Sequence, residues 1–331
     1  MFRARGAIRV ATVHGVSRSA RVWLTAAVML TVAGCAGQVD LGKSVTNRTT
    51  VKAAGSFNDD ALRTVDPCGL LADDLLSTIG KKKQGVPDRR GYSECSHSVT
   101  DPASGKDIRF VVKVGADLIG APKQVGKSIA GLGVFETRTS SGCSQTAVTT
   151  RGPDHGLVVA AYWDSGDPCD AAIKLLEGVV RTISEGKSKY DDTPGSLVRL
   201  NPCAAIDDKS AAAITGATTQ KEPDDIRGCR YRTRPAYISV KYTIDFDPGQ
   251  TARSYSPVKV DLTDKVKGAW QFKTNISPDK CQIEWVHRAL SGNRGENVNV
   301  SFERDPPDPG QDPCAKAVEA ARLVATKLAT S

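Results

Sequence analysis

Apolar side chains recur at helical spacing in two long segments of the chain. After Cys169 and after Cys314, the residues at offsets of 4, 7, 11 and 14 are apolar. They are Ile173, Leu176, Val180 and Ile183, and Val318, Ala321, Ala325 and Leu328. This spacing predicts amphipathic helices that bury one face. Shorter apolar runs after Cys68 and Cys203 predict two further helices.

Between the helical segments the hydrophobic period falls to two residues, as in Val298, Val300 and Phe302. Alternation of this kind is typical of a strand with one buried and one wet face. The segments form two sets in the same order: residues 108–114, 134–138, 146–149 and 157–163, then residues 237–246, 270–273, 283–287 and 298–302. Each set predicts a mostly antiparallel sheet.

The triplet Asp/Asn-Pro-Cys starts every helical segment, at residues 66–68, 167–169, 201–203 and 312–314. Asp or Asn is a preferred N-cap and Pro a preferred first helical residue, so each cysteine should lie in a first turn. We predict an α+β fold of two homologous modules. Each would be a mostly antiparallel sheet flanked by an N-terminal and a C-terminal helix and stapled by disulfides.

Eight of the nine cysteines form two sets of similar spacing. In an exported protein an even set indicates disulfides. Zinc would favour close pairs such as Cys-x-x-Cys, whereas the nearest cysteines here are 26 residues apart. The matching intervals favour first-to-second and third-to-fourth pairing in each module, although spacing alone does not prove connectivity. The favoured pairs are Cys68 with Cys95, Cys143 with Cys169, Cys203 with Cys229, and Cys281 with Cys314.

The first 34 residues have the pattern of a secretory signal, because five arginines and no acidic residue accompany an apolar run at residues 22–32. The run is too short to span a bilayer comfortably. It ends in Val32-Ala33-Gly34-Cys35, which resembles the bacterial lipobox. The resemblance implies cleavage after Gly34 and attachment of acyl chains such as palmitate to Cys35, which would anchor the protein at the outer face of the cell membrane. An ordinary signal peptide with a chance cysteine is the alternative.

These patterns divide the chain into a lipoprotein signal peptide (1–34), a lipid-anchored flexible tether (35–64), a first module (65–186), a linker (187–199) and a second module (200–331). The tether is rich in Gly, Thr, Ser, Asn and Lys and has no periodic pattern. Each module has its own helices, strands and cysteines, and the linker carries no hydrophobic pattern. We therefore expect the modules to fold separately.

The charge balance argues against a nucleic-acid partner. The 45 basic residues include five arginines of the signal peptide, and without these five, 40 basic residues face 37 acidic ones, a net charge of about +3. A nucleic-acid surface would need a basic stripe with interleaved aromatic residues. The local basic runs at residues 81–83 and 89–90 are interpreted as solvated loop, in preference to a patch for anionic lipid or cell-wall polymer.

The module start Asp66-Pro67-Cys68-Gly69-Leu70-Leu71, followed later by Cys-x-aromatic, resembles a family of actinobacterial lipoproteins whose exported domain has no assigned function. The chain would carry this domain as a tandem duplication. It departs from the pattern at His97, which takes the aromatic position in the first module. The resemblance implies an envelope lipoprotein and supplies no catalytic residue. A looser likeness in fold, to extracellular sensor domains of some mycobacterial receptor kinases, suggests ligand sensing.

Few side chains suggest catalysis. His97, His155 and His287 are dispersed; we interpret the first as a packed substitute for an aromatic residue and the other two as solvated. The acidic pairs at residues 73–74 and 207–208 fit the first turns of helices, where negative charge is favourable, better than the carboxylates of a glycosidase.

We therefore expect a binding protein that is not an enzyme, with no cofactor and no metal. Its site would lie between the modules or between helix and sheet, because pockets form preferentially at such interfaces. The partners would be the membrane, through acyl chains on Cys35, and an unknown small ligand or envelope protein. The alternative is a structural or protein-interaction subunit of an envelope complex. Three tryptophans in strand patterns are expected in the core or between the modules: Trp163, Trp270 and Trp285.

Overall fold

The computed structural model describes residues 55–120, 126–251, 257–273, 279–308 and 310–330. The signal peptide, the lipobox with Cys35 and most of the predicted tether lie outside these residues. Among the described helices, none combines the length and the hydropathy needed to cross a membrane.

The first module consists of short helical segments, eight strands and one long helix. It opens with the 3₁₀ turn Gly55–Phe57, α1 (Asp59–Arg63), the 3₁₀ turn Gly69–Leu71 and α2 (Asp73–Ser77). The strands are β1 (Lys81–Lys82), β2 (Asp88–Arg90), β3 (Glu94–Thr100), β4 (Asp107–Asp117), β5 (Lys127–Ile129), β6 (Leu132–Arg138), β7 (Gly142–Thr150) and β8 (His155–Tyr162). The module ends with α3 (Pro168–Ser184).

The second module repeats this order. It opens with the 3₁₀ turns Leu197–Arg199 and Pro202–Ala204 and with α4 (Asp208–Thr215). The remaining elements are β9 (Gln220–Asp225), β10 (Gly228–Arg232), β11 (Ala236–Phe246), α5 (Pro248–Thr251), β12 (Val258–Val260), β13 (Ala269–Lys273), β14 (Lys280–Ala289), β15 (Arg294–Arg304) and α6 (Pro313–Leu328).

The two sheets have the same topology. The first has the order β1-β3-β4-β8-β7-β6-β5, with β2 also paired to β3, and the second has the order β9-β10-β11-β15-β14-β13-β12. Neighbouring strands pair antiparallel throughout both sheets. The predicted α+β fold of two similar modules is confirmed.

Each core lies between a sheet and its long helix. Helix α3 packs on β7 and β8, and α6 packs on β14 and β15. Every second residue of a central strand is buried against the helix, as Val298, Val300 and Phe302 are in β15. The helix starts where the sequence predicts: Asp167 and Asp312 accept hydrogen bonds from the backbone N–H of Cys169 and Cys314.

Four disulfides connect the start of a helical segment to a strand in both modules. Their Cα atoms are 4.9 to 5.1 Å apart, within the range that a disulfide requires. The pairs are those that the spacing favoured: Cys68 with Cys95, Cys143 with Cys169, Cys203 with Cys229, and Cys281 with Cys314. None of these bonds joins one module to the other.

The first helix of each module differs from the prediction. The triplets at residues 66–68 and 201–203 start only a 3₁₀ turn, and the α-helix begins later, at Asp73 or Asp208. In the second module Asp207 causes this restart, because its carboxylate accepts from the backbone N–H of Ser210 and so caps a new helix.

Both module boundaries also differ from the prediction, since residues 55–64 are not a tether and the linker is not without apolar contacts. Phe57 and Leu62 are buried in the first core, and Leu197 and Val198 in the second. Leu62 and Leu197 both lie six residues before the first cysteine of a module, so these short segments are equivalent parts of the duplication. They are too short to show a period.

The expectation that the modules fold separately is not supported by the packing. Tyr92 and Ile226 occupy equivalent positions, each three residues before a disulfide cysteine. Tyr92 is buried in the core of the second module, and Ile226 in the core of the first. Gly115 accommodates Ile226, since a Cβ atom at this position would lie 2.4 Å from the isoleucine side chain. The modules therefore exchange one core residue each.

Candidate functional site

Arg227 lies where the modules meet and bonds to equivalent points of both. Its guanidinium donates to the carbonyl oxygens of Arg63 and Val198. Each of these residues stands five positions before the first cysteine of its module. The guanidinium carbon also lies 4.5 Å from the centroid of the Tyr92 ring. Burial lowers the pKa of Arg227 to about 10, so the side chain remains charged at neutral pH.

A second set of bonds fixes the linker against this junction. The Tyr190 hydroxyl donates to the Tyr92 carbonyl oxygen at 2.9 Å and accepts from Arg89 at 2.5 Å. Arg89 also pairs with Asp66 at 2.8 Å. Arg294 of the second module donates to the Arg89 carbonyl oxygen at 2.9 Å. Burial raises the pKa of Tyr190 above its ordinary value, so this hydroxyl remains a donor.

An open cleft of about 990 Å³ lies beside this junction, between the outer face of the first sheet and the strand β11 with its neighbouring loops. This volume is at the upper end of the range for ligand sites. The contacts of Arg227, Tyr190, Tyr92 and Ile226 join the two modules beside this cleft. The fold therefore supplies the cleft between modules that the duplication suggested.

Small and apolar side chains form the first wall of the cleft. Val111 lies opposite Ala160 in the β4–β8 register, and Ser144 lies opposite Ala160 in the β7–β8 register. Val158 lies beside them on the same face of the sheet. This is the face directed away from α3, where polar residues are usual in a half-buried sheet. The apolar floor is narrow, because Val111 and Ala160 are only 7% and 8% exposed.

Two aromatic side chains lining the cleft are unusually exposed. Tyr162 of the first module is 42% exposed and Phe246 of the second is 51% exposed. Arg294 covers one face of Phe246, with its guanidinium carbon 5.7 Å from the ring centroid. The cleft thus offers an apolar contact surface from each module.

Charged side chains of both signs complete the lining. Lys113 pairs with Glu94 at 3.0 Å, and Arg90 with Asp88 at 3.3 Å. The further charged residues of the lining are Arg89, Asp117, Asp225, Arg227, Lys241, Asp245 and Arg294. A surface of balanced charge suits a ligand that carries both signs, or many hydrogen-bonding groups, better than a polyanion.

Several buried polar atoms of the cleft residues have no partner within the protein. They are the Ser93 hydroxyl and the Nε atoms of Arg227 and Arg294. Buried polar groups are ordinarily paired with protein, water or ligand. The Arg227 and Arg294 guanidinium groups are otherwise bonded to main-chain carbonyl oxygens.

The three histidines lie apart from one another. His97 is buried, as expected of a packed substitute for an aromatic residue, and burial lowers its pKa. His287 is half-buried, with Nε2 3.0 Å from the Gly195 carbonyl oxygen. The expectation of a solvated His155 is wrong, because this side chain is fully buried and its Nδ1 lies 3.1 Å from the Asp59 carboxylate.

The Asp59–His155 pair connects α1 to β8. Burial alone would raise the pKa of Asp59, but the hydrogen bonds from His155 and Thr150 outweigh it and hold this pKa below its ordinary value. The His155 Nε2 atom is buried without a partner. Because Asp59 lies in the segment taken for a tether, the sequence patterns gave no indication of this pair.

The remaining sequence candidates have structural positions. Asp73 and Asp74 lie in the first turn of α2, and Asp207 caps α4. Trp285 is buried in the second core, as expected. Within the described ranges, one group of side chains has metal-ligand geometry, Glu136 with Cys143 and Cys169, but both sulfurs belong to a disulfide.

Comparison with known proteins adds little. No family model matches the chain, and no curated protein matches it. Among solved structures, DynU16, a protein of the dynemicin biosynthetic locus, aligns over 76% of this chain and 84% of its own at 10% identity and a TM-score of 0.15. A likeness this weak carries no argument about fold or function.

Proposed function

We propose that this chain is a lipid-anchored binding protein of the cell envelope whose ligand lies in the cleft between the two modules. The observation that carries the proposal is the cleft itself, about 990 Å³ in volume, with an exposed aromatic side chain from each module, Tyr162 and Phe246. The apolar floor around Val158 and Ala160 would contact the less polar part of the ligand. The mixed charges around it would orient the rest.

The four disulfides are compatible with an extracytoplasmic location. Attachment to the outer face of the membrane rests on the lipobox sequence alone. We expect the mature protein to begin at Cys35 with acyl chains on that residue, and Cys35→Ala to release the protein from the membrane. Mass spectrometry of the N-terminal peptide identifies the first residue and its acyl chains. A different first residue, or a mass without acyl chains, would contradict the lipid anchor.

A cleft-filling variant tests the ligand site. Ser144→Trp places an indole on the cleft wall, while Ser239→Trp is the matched control on the outer face of the second sheet. Both serines are half-buried, so the two variants should cost similar stability. Native mass spectrometry of protein isolated from its own cells should show a bound small molecule in wild type and in Ser239→Trp, and little in Ser144→Trp. Equal occupancy of all three proteins, or none in any, would refute the proposal.

A protein-interaction subunit is the second candidate, favoured by the exposure of Phe246 and Tyr162 in the cleft. A photo-crosslinking amino acid at position 246 separates the two functions. A discrete protein adduct that Ser144→Trp abolishes would favour the interaction subunit, whereas a small bound mass without an adduct would favour the ligand-binding protein.

A further inference from the structure

The second module contains a pocket that shares no lining residue with the cleft. We call it the tryptophan pocket; it has a volume of about 490 Å³ and lies beside Trp270, Trp285 and the last turn of α6. Val266 and Leu328 add to its apolar lining. Two of the three tryptophans that follow Cys35 in the chain thus line one pocket.

Basic side chains dominate the polar part of this pocket. Lys259, Lys265, Lys267 and His287 line it, against a single acidic residue, Asp247. Lys259 Nζ lies 4.9 Å from the Trp270 ring centroid, and Lys265 Nζ lies 3.3 Å from a main-chain carbonyl oxygen at the end of α6. Lys267 pairs with Asp264 at 3.5 Å, whereas the ion pairs of the described residues include neither Lys259 nor Lys265. These charges are therefore available to an anion.

The buried floor carries an unused donor. Trp285 is almost fully buried, and its indole N–H has no hydrogen-bond partner. A buried N–H is ordinarily paired, so this donor suits an acceptor atom of a bound molecule. The Asp247 carboxylate accepts from the Gly249 N–H at 2.8 Å.

The duplication shows that the fold does not need this arrangement. Trp285 lies four residues after Cys281, and the equivalent residue, four after Cys143, is Ala147. On the long helices, Ala325 of the second module corresponds to Val180 of the first. The first module thus builds the same sheet and helix without the tryptophan. The large indole is thus an addition in the second module, where it belongs to the core and also lines the pocket.

From these observations we propose that the tryptophan pocket binds a single-chain anionic amphiphile, with its carboxylate or phosphate at Lys259 and Lys265 and its apolar chain against Trp270, Trp285 and Leu328. This site is separate from the proposed cleft site and does not depend on it.

Titration with laurate, followed by tryptophan fluorescence of the chain from residue 36 onward, tests the proposal. Dodecyltrimethylammonium has the same chain with a cationic head, and we expect it to bind at least about tenfold more weakly. Lys259→Gln with Lys265→Gln should weaken laurate binding by about tenfold, while the control Lys221→Gln, on β9, should leave it unchanged. Trp285→Phe keeps the aromatic ring but removes the donor, and should weaken binding several-fold.

Two further arms complete the test. Ser144→Trp should bind laurate as wild type does, so that failure at the cleft and failure at this pocket are distinguishable. Phosphatidylglycerol vesicles test whether the pocket recognises an acidic lipid headgroup in a bilayer and not a free amphiphile. Binding to the vesicles without binding to laurate would overturn the proposal. Equal affinity for the cationic and anionic amphiphiles, or unchanged laurate binding in the double lysine variant, would overturn it as well.

Discussion

Replacing Ile226 with alanine should lower the free energy of unfolding of the whole chain by about 2–5 kcal/mol. Ile226 is only 2% exposed and is buried in the core of the first module, although it belongs to the second. Removing its side chain leaves a cavity beside Gly115, which has no side chain to fill it. Denaturant unfolding followed by fluorescence and circular dichroism measures the change.

The same substitution at Ile119 is the control, because this isoleucine is 91% exposed and its truncation should change stability by less than about 0.5 kcal/mol. Amide exchange locates the effect. Ile226→Ala should accelerate exchange in β4 and β8 of the first module. Acceleration confined to the second module would mean that Ile226 does not stabilise the first core.

Removing the disulfide between Cys143 and Cys169, by alanine at both positions, should cost about 3–4 kcal/mol. The bond spans 26 residues, and the chain-entropy model gives about this value for a loop of that length. The equivalent double substitution at Cys281 and Cys314, with a separation of 33 residues, should have a similar effect. Thermal unfolding under non-reducing conditions measures both.

Thiol labelling provides the internal control for the disulfide variants. Replacing Cys169 alone should free Cys143 to a thiol reagent in the unfolded protein, while the pair of Cys68 and Cys95 stays unreactive. Labelling of Cys68 or Cys95 in that variant would show that the bonds reshuffle and that the local pairing is not intrinsic to the module.

Much of the fold could be predicted because the sequence contains it twice. The helices α3 and α6 have strong hydrophobic periodicity, and each begins at an Asp-Pro-Cys triplet whose Asp caps the helix. The short segments that open each module were not predicted, because each contributes only one or two buried residues and shows no hydrophobic period. Leu62 and Leu197 are isolated apolar residues in polar segments, and only their equal distance from a cysteine marks them as core positions.

The sequence allowed the location of the cleft, between the modules, to be predicted, but not the residues that line it. Its existence depends on how the modules pack, and the packing depends on Tyr92, Ile226 and Arg227, which lie in short turns without a pattern. One signal was present: Val111 and Ala160 place apolar residues on the face of the first sheet that should be wet. His155 was misjudged because its partner, Asp59, lies in a segment without periodicity.

Cutting the linker of the folded protein tests most directly whether the modules form one body with a cleft of fixed shape. A protease site inserted between Asp191 and Asp192, both exposed, allows the cut to be made after folding. No disulfide joins the two parts, so the contacts of Tyr92, Ile226 and Arg227 would have to hold them. We predict that the cut halves elute together in size-exclusion chromatography and unfold in one transition. Two folded halves that elute separately would contradict this account.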